Sequence, residues 1–138
     1  MEIRFSNLNA SDLRYSTPAD LLVNIEADLE VVDGDDVLYS ERAFPVAELA
    51  RDLMRWKNSR IIPPDDFAFN SMSFDELGAI KISREGSGWF VSSVFASGRK
   101  SQPVPWGELV RELDEFIQRV EVSIQSIGID PNVVFYSS

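Results

Sequence analysis

The sequence predicts an α+β domain, a two-layer sandwich in which an antiparallel sheet of about five or six strands carries two helices on one face. Residues 24–31 alternate apolar and polar side chains, which is the period of a half-buried strand. Two later segments, 45–57 and 105–127, repeat apolar residues at the three-and-four spacing of an amphipathic helix. A chain of 138 residues has the size of one ordinary domain, so a single domain is predicted over residues 1–138.

The amino-terminal part of the chain is predicted to hold a short strand at residues 3–5 and then a β-hairpin. Thr17 followed by Pro18 favours a helix start, but the alternation that follows limits that helix to one turn. The core-facing positions of the first hairpin strand are Ile25, Ala27, Leu29 and Val31. The turn is predicted at residues 33–36, where Gly34 accepts a positive φ, and residues 37–44 return as the second strand.

The remaining elements are a helix, three strands and a longer helix. Pro45 ends the hairpin and opens the first helix, because proline needs no amide hydrogen bond at that position. The further strands are predicted at residues 67–74, 79–85 and 89–95. The last helix starts at Pro105 and stops at Gly128, and residues 132–136 are apolar enough to dock as a tail or an edge strand.

The composition excludes most catalytic chemistry. The chain has no histidine and no cysteine, so it can form neither a Ser-His-Asp triad, nor a thiolate nucleophile, nor a metal site with imidazole or thiolate ligands. No glycine-rich phosphate loop precedes a helix, which argues against nucleotide binding. No cofactor is therefore expected, and the composition favours a binding protein over an enzyme.

The charge of the chain is strongly negative and unevenly placed. The net charge is −10, and residues 1–52 alone carry twelve acidic and four basic side chains, a net charge of −8. Such a field repels phosphate backbones and anionic lipid headgroups and attracts basic protein surfaces. The sequence thus predicts a basic protein partner and no binding to nucleic acid or membrane. Because the chain has neither a signal-peptide pattern nor a long apolar run, a cytoplasmic location is also expected.

The candidate partner-binding residues are the carboxylates of the predicted hairpin. Acidic residues two apart on a strand share one face at a spacing of about 6.5 to 7 Å, which suits an extended electrostatic patch. The alternative interpretation is a solvated sheet face whose charges block edge pairing. The turn does not have the spacing of a calcium loop, so no metal site is predicted there. The candidate residues are Glu26, Asp28, Glu30, Asp33, Asp35 and Asp36.

Two alternatives to a binding module remain open. The first is a carboxylate-dependent hydrolase that uses magnesium with Asp65, Asp66, Asp75 or Glu76, provided that folding brings these acids together. The second is a structural subunit that self-associates through an uncovered sheet face, so a homo-oligomer is possible. Trp56, Trp89 and Trp106 are interpreted as packing residues, since Trp106 starts an apolar stripe and Trp56 ends one.

Several strings resemble small uncharacterised bacterial proteins, largely actinobacterial. They are residues 21–27 leading into 32–34, residues 44–50, residues 69–74, and Gly88-Trp89 at the start of a strand. These proteins in turn look like the α+β immunity proteins of polymorphic toxin and contact-dependent inhibition systems. The resemblance implies a stoichiometric inhibitor that covers the active site of a toxin, and it implies no catalytic residues.

Overall fold

The structure is a computed structural model that describes residues 1–13, 17–62, 64–71 and 73–136. Within these ranges it contains six strands and four helices. The strands are β1 (Glu2–Asn9), β2 (Glu26–Asp33), β3 (Asp36–Phe44), β4 (Phe67–Ala68), β5 (Lys81–Glu85) and β6 (Gly88–Ser92). The helices are α1 (Pro18–Asn24), α2 (Val46–Lys57), α3 (Trp106–Ser126) and α4 (Pro131–Phe135).

The strands form two antiparallel sheets of three strands each, ordered β1-β2-β3 and β4-β5-β6. The α+β class is therefore confirmed, whereas the predicted single sheet with two helices is not, because the described residues form two sheets and four helices. One outer edge of each sheet is covered by another segment of the chain. Side chains of α3 bond the free edge of β1, and residues 100–104 pair with the free edge of β6.

The hairpin and the two long helices follow the predicted patterns. On β2, Ile25 just before the strand and Leu29 within it are 0% and 1% exposed, as the alternation predicts. The apolar stripes of α2 and α3 pack together and cover the inner face of the first sheet. One hydrophobic core joins these elements to the second sheet.

Two short helices differ from prediction. Thr17 caps α1 by accepting the Asp20 N–H, as expected, but α1 is seven residues long and exceeds one turn. Residues 21–24 complete the helix and bury Leu21 and Leu22, so Asn24, the predicted start of the strand, is the last residue of α1. The tail does dock, but as the helix α4, capped by Asp130, rather than as an edge strand.

The three tryptophans pack against one another, which confirms their interpretation as packing residues. The ring centroids of Trp89 and Trp106 are 5.1 Å apart, and Trp56 lies 5.5 Å from Trp106 and 5.6 Å from Trp89. Trp56 also donates its indole N–H to the backbone oxygen of Asp65 at 2.7 Å. This cluster joins α2, β6 and the start of α3.

Candidate functional site

The first sheet is distorted where both outer strands meet the same stretch of β2. On β1, two residues lie opposite Ala27, and on β3, two residues lie opposite Asp28, so each outer strand carries one extra residue. These bulges contain two non-glycine residues with positive φ, Asn7 at 57° and Ala43 at 53°. Bulges bend a sheet and redirect its side chains, and a strained backbone of this kind is typical of functional sites.

A depression of about 720 Å³ lies on the outer face of this sheet, the face turned away from α2 and α3. We refer to it as the outer groove. Small side chains, Ser6 and Ser40, flank the carboxylates of β2 and leave room beside them. The groove is lined by Arg4, Phe5, Ser6, Asp28, Leu29, Glu30, Ser40, Glu41 and Arg42.

The carboxylates of Glu26, Asp28 and Glu30 share the outer face of β2, as the period of two predicts, but they are half-buried and have partners. Arg4 lies 3.4 Å from Glu30, and Asn7 donates a hydrogen bond of 2.9 Å to Asp28. Burial raises the pKa of Glu26, and a hydrogen bond and charge repulsion from Asp12 raise it further. Since Arg4 and Arg42 also border the groove, the face is a mixed-charge surface with an acidic floor.

The acids of the hairpin turn are divided between two environments. Asp33 lies 3.3 Å from the amino group of Met1 and accepts the Gln102 N–H at 2.7 Å. Asp35 and Asp36 are exposed at the tip of the hairpin, where Gly34 adopts a φ of 63°. Asp35 and Asp36 are therefore accessible to a partner, whereas Asp33 binds the amino terminus and the backbone at Gln102.

The four carboxylates considered for a magnesium-dependent hydrolase do not form a metal-binding group among the described residues. All four are exposed, and Asp66 accepts the backbone N–H of Arg84 at 3.0 Å. Among residues 1–13, 17–62, 64–71 and 73–136, no group of three or more acidic residues could hold a metal ion. The four residues concerned are Asp65, Asp66, Asp75 and Glu76.

A polar cluster on α2 was not predicted from the sequence, whose helical period places Glu48 and Asp52 on a solvent-facing side of the helix. Ser71 is 4% exposed and donates a hydrogen bond from its hydroxyl group to Glu48. Burial raises the pKa of both Glu48 and Asp52. No local pattern signals this contact, because Ser71 belongs to a distant loop that packs onto the helix.

Arg4 and Arg42 of the outer groove were also missed as site residues. Arg4 occupies a strand position two before Ser6, and Arg42 lies two after Ser40, so both are compatible with the outer face by period. Their position beside the same carboxylates follows only from the pairing register. Arg4 lies opposite Glu30 on one side, and Ser40, two residues before Arg42, lies opposite Glu30 on the other.

The fold and the groove define a small α+β protein with a bulged sheet and a charged outer face. The chain belongs to a family described as a domain of unknown function, DUF7878, whose model matches residues 1–126. No curated protein and no solved structure shows a significant match to the chain. Within the part of the chain that the structure describes, no helix has the length and apolar character needed to cross a membrane.

Proposed function

We propose that this protein is a non-catalytic binding module of the cytoplasm that engages a basic partner protein through its outer groove and hairpin tip. The observation that carries the proposal is the position of Asp28 and Glu30, which lie side by side in the floor of the groove. Asn7 bonds Oδ2 of Asp28, and Arg4 lies nearest Oε1 of Glu30. In the proposed complex, a cation of the partner approaches the other oxygen of each carboxylate.

The charge of the whole chain supports the same partner. A net charge of −10 attracts a basic protein over distances of about 10 Å at ordinary ionic strength. The exposed acids Asp35 and Asp36 extend the negative potential from the groove to the end of the hairpin. Because these interactions act during the encounter, they affect the association rate more than the lifetime of the complex.

The resemblance to immunity proteins suggests that the partner is a toxin domain, such as a basic nuclease. An inhibitor of this kind needs no catalytic residue, since it acts by covering the active site of its partner. A binding surface without catalytic chemistry is consistent with a chain that lacks histidine and cysteine.

The first test is binding to the protein encoded by the adjacent gene, because inhibitor and toxin genes are expected to lie together. We expect association at about 10⁸ M⁻¹s⁻¹ at low salt, falling at least about tenfold when the ionic strength is raised to about 0.5 M. The triple variant Asp28→Asn, Glu30→Gln, Asp36→Asn should slow association by a further factor of about ten. Stopped-flow fluorescence measures both effects.

The matched control is Asp65→Asn, Asp75→Asn, Glu76→Gln, which changes the net charge by the same amount at exposed positions away from the groove. This control should slow association much less than the groove variant does. Equal slowing by both variants would show that only net charge matters, and an association rate insensitive to salt would reject the proposal.

A further inference from the structure

The two outer edges of the first sheet, on β1 and β3, have different neighbours. On β1, Ile3 donates its N–H to Glu112 at 2.8 Å and accepts a hydrogen bond from Arg119 at 2.7 Å, so α3 closes that edge. β3 has no neighbouring strand on its other side, within the residues that the structure describes. There, Arg99 bonds the backbone oxygen of Val37 at 2.8 Å.

The register identifies which backbone groups of β3 point outward. Since Ile3 directs its N–H and C=O away from β2, its partner Val31 must direct its own groups towards β3. Val31 is opposite Tyr39, so Tyr39 bonds to β2 and the next residue, Ser40, turns its N–H and C=O to the open edge. Val37 also directs its oxygen outward, to Arg99, because the register shift after Val31 places it opposite Val32, whose backbone groups face β1.

A second groove, which we name the edge groove, runs beside this part of β3. It has a volume of about 430 Å³ and lies between the strand and residues 95–99. Its apolar surface comes from Tyr39 and Phe95, whose rings are stacked with centroids 6.3 Å apart, and Phe95 remains 46% exposed. An apolar side chain can be accommodated there.

We propose that a short extended segment of the basic partner adds to the β3 edge at Ser40. This inference rests on the proposed function, from which it takes the positive charge of the partner. The segment exchanges two backbone hydrogen bonds with Ser40, which is the pairing used in β-strand addition. The irregular register on either side of Tyr39–Glu41 confines regular pairing to these three residues. Such a short edge resists indiscriminate aggregation but accepts a segment with matching side chains.

Charge complementarity specifies one side chain of that segment. The residue opposite Ser40 lies in the same cross-strand row as Glu30, about 10 Å away across two strand spacings. Because Ser40 is small, a lysine or arginine at this position can extend over it to the side of Glu30 that Arg4 does not occupy. The neighbouring residues of the segment face the edge groove and are expected to be apolar.

The probe is a capped nine-residue peptide of alternating threonine and valine around one central lysine. Its two controls are a peptide with glutamate at the centre and a peptide whose backbone is N-methylated on alternate residues. We expect the lysine peptide to bind, either control to bind at least about tenfold more weakly, and amide exchange of Ser40 to slow in the complex. Ser40→Pro removes the outward N–H without removing a bond to β2 and should weaken binding to the same extent.

Ser40→Ala keeps both the N–H and a small side chain, so it should bind more tightly than Ser40→Pro. If Ser40→Pro fails to fold, the N-methylated peptide still tests the backbone pairing on the unmodified protein. Strand addition is rejected if the lysine peptide does not bind at millimolar concentration, or if N-methylation and Ser40→Pro leave its affinity unchanged. Affinity that falls only with Asp28→Asn and Glu30→Gln would reject strand addition while leaving the proposed function standing.

Discussion

The backbone N–H of Ile3, in the first strand, donates a hydrogen bond of 2.8 Å to Oε1 of Glu112, in the last long helix. The carbonyl of Ile3 is bonded in turn by Arg119, whose guanidinium lies 3.9 Å from the same carboxylate. Two side chains of α3 thus occupy the place that another strand would take. This contact links residues more than a hundred positions apart and protects the edge of β1.

Removing this carboxylate should destabilise the protein. Glu112→Ala leaves the N–H of Ile3 without its partner in a partly buried position, and we expect a loss of about 1–3 kcal/mol in the free energy of unfolding. Urea denaturation followed by circular dichroism measures the loss. The exposed Glu115 on the same helix provides the control, because Glu115→Ala should change the free energy by less than about 0.5 kcal/mol. Equal effects would show that the edge contact contributes nothing specific.

Acidification should stabilise the protein over a limited range. Burial raises the pKa of Glu112 above its ordinary value of 4.5, so the folded protein binds more protons than the unfolded chain just above that value. The free energy of unfolding should therefore increase as the pH falls from 7 through the raised pKa, and this contribution is complete below 4.5. Glu26, Glu48 and Asp52 have pKa values shifted in the same direction.

The variant Glu112→Gln tests this assignment, because it keeps an oxygen acceptor for Ile3 and cannot titrate. Denaturation at a series of pH values should show a smaller increase in stability on acidification for this variant than for the original protein. An unchanged pH dependence would show that Glu112 does not contribute to it.

The core of the protein was largely predictable from local patterns. The alternation over residues 25–31 and the helical stripe of α3 depend only on neighbouring side chains. The apolar positions of the first are buried as expected, and so is most of the stripe, but its predicted last member, Ile127, is 40% exposed. The division into two sheets was not predictable in this way, because strand pairing depends on contacts between segments that are distant in the sequence, such as those of α3 with β1. Glu112 and Arg119 of α3 have the local pattern of ordinary surface charges on an amphipathic helix.

The candidate site was predictable only in part. The period of two places Asp28 and Glu30 on one face, but the bulges depend on pairing between strands, and no local pattern marks an extra residue at Asn7 or Ala43. The contact between Arg4 and Glu30 likewise requires the register of β1 on β2. Local patterns therefore identified the acidic floor of the outer groove and missed its arginine borders.

The face of α3 that packs inward should be the most sensitive part of the core. Phe116 is fully buried and meets Phe5 edge to face at 5.9 Å between ring centroids. Phe116→Ala should reduce the free energy of unfolding by about 3–5 kcal/mol, measured by urea denaturation. Val122 of the same helix is 59% exposed, so Val122→Ala should cost less than about 0.5 kcal/mol. Comparable losses would contradict the assignment of the buried face.

Two glycines should respond to alanine in opposite directions. A Cβ at Gly88 would lie 2.6 Å from the Cβ of Pro103, in the segment that pairs with β6 through Trp89 and Val104. Gly88→Ala must therefore push that segment away, and we expect a loss of about 1–3 kcal/mol. At Gly107, in the first turn of α3, the position that an alanine methyl group would take has no neighbouring atom within 4 Å among the described residues.

Gly107→Ala should instead stabilise the protein by about 0.4–1 kcal/mol, because alanine restricts the unfolded chain and suits a helix. Thermal and urea denaturation of the two variants, measured side by side, give both signs in one experiment. If Gly107→Ala lowered the free energy of unfolding, the result would indicate a steric clash of the new methyl group near the start of α3. A neutral Gly88→Ala would mean that the segment at Pro103 can move without loss, and that its pairing with β6 adds little to the stability of the second sheet.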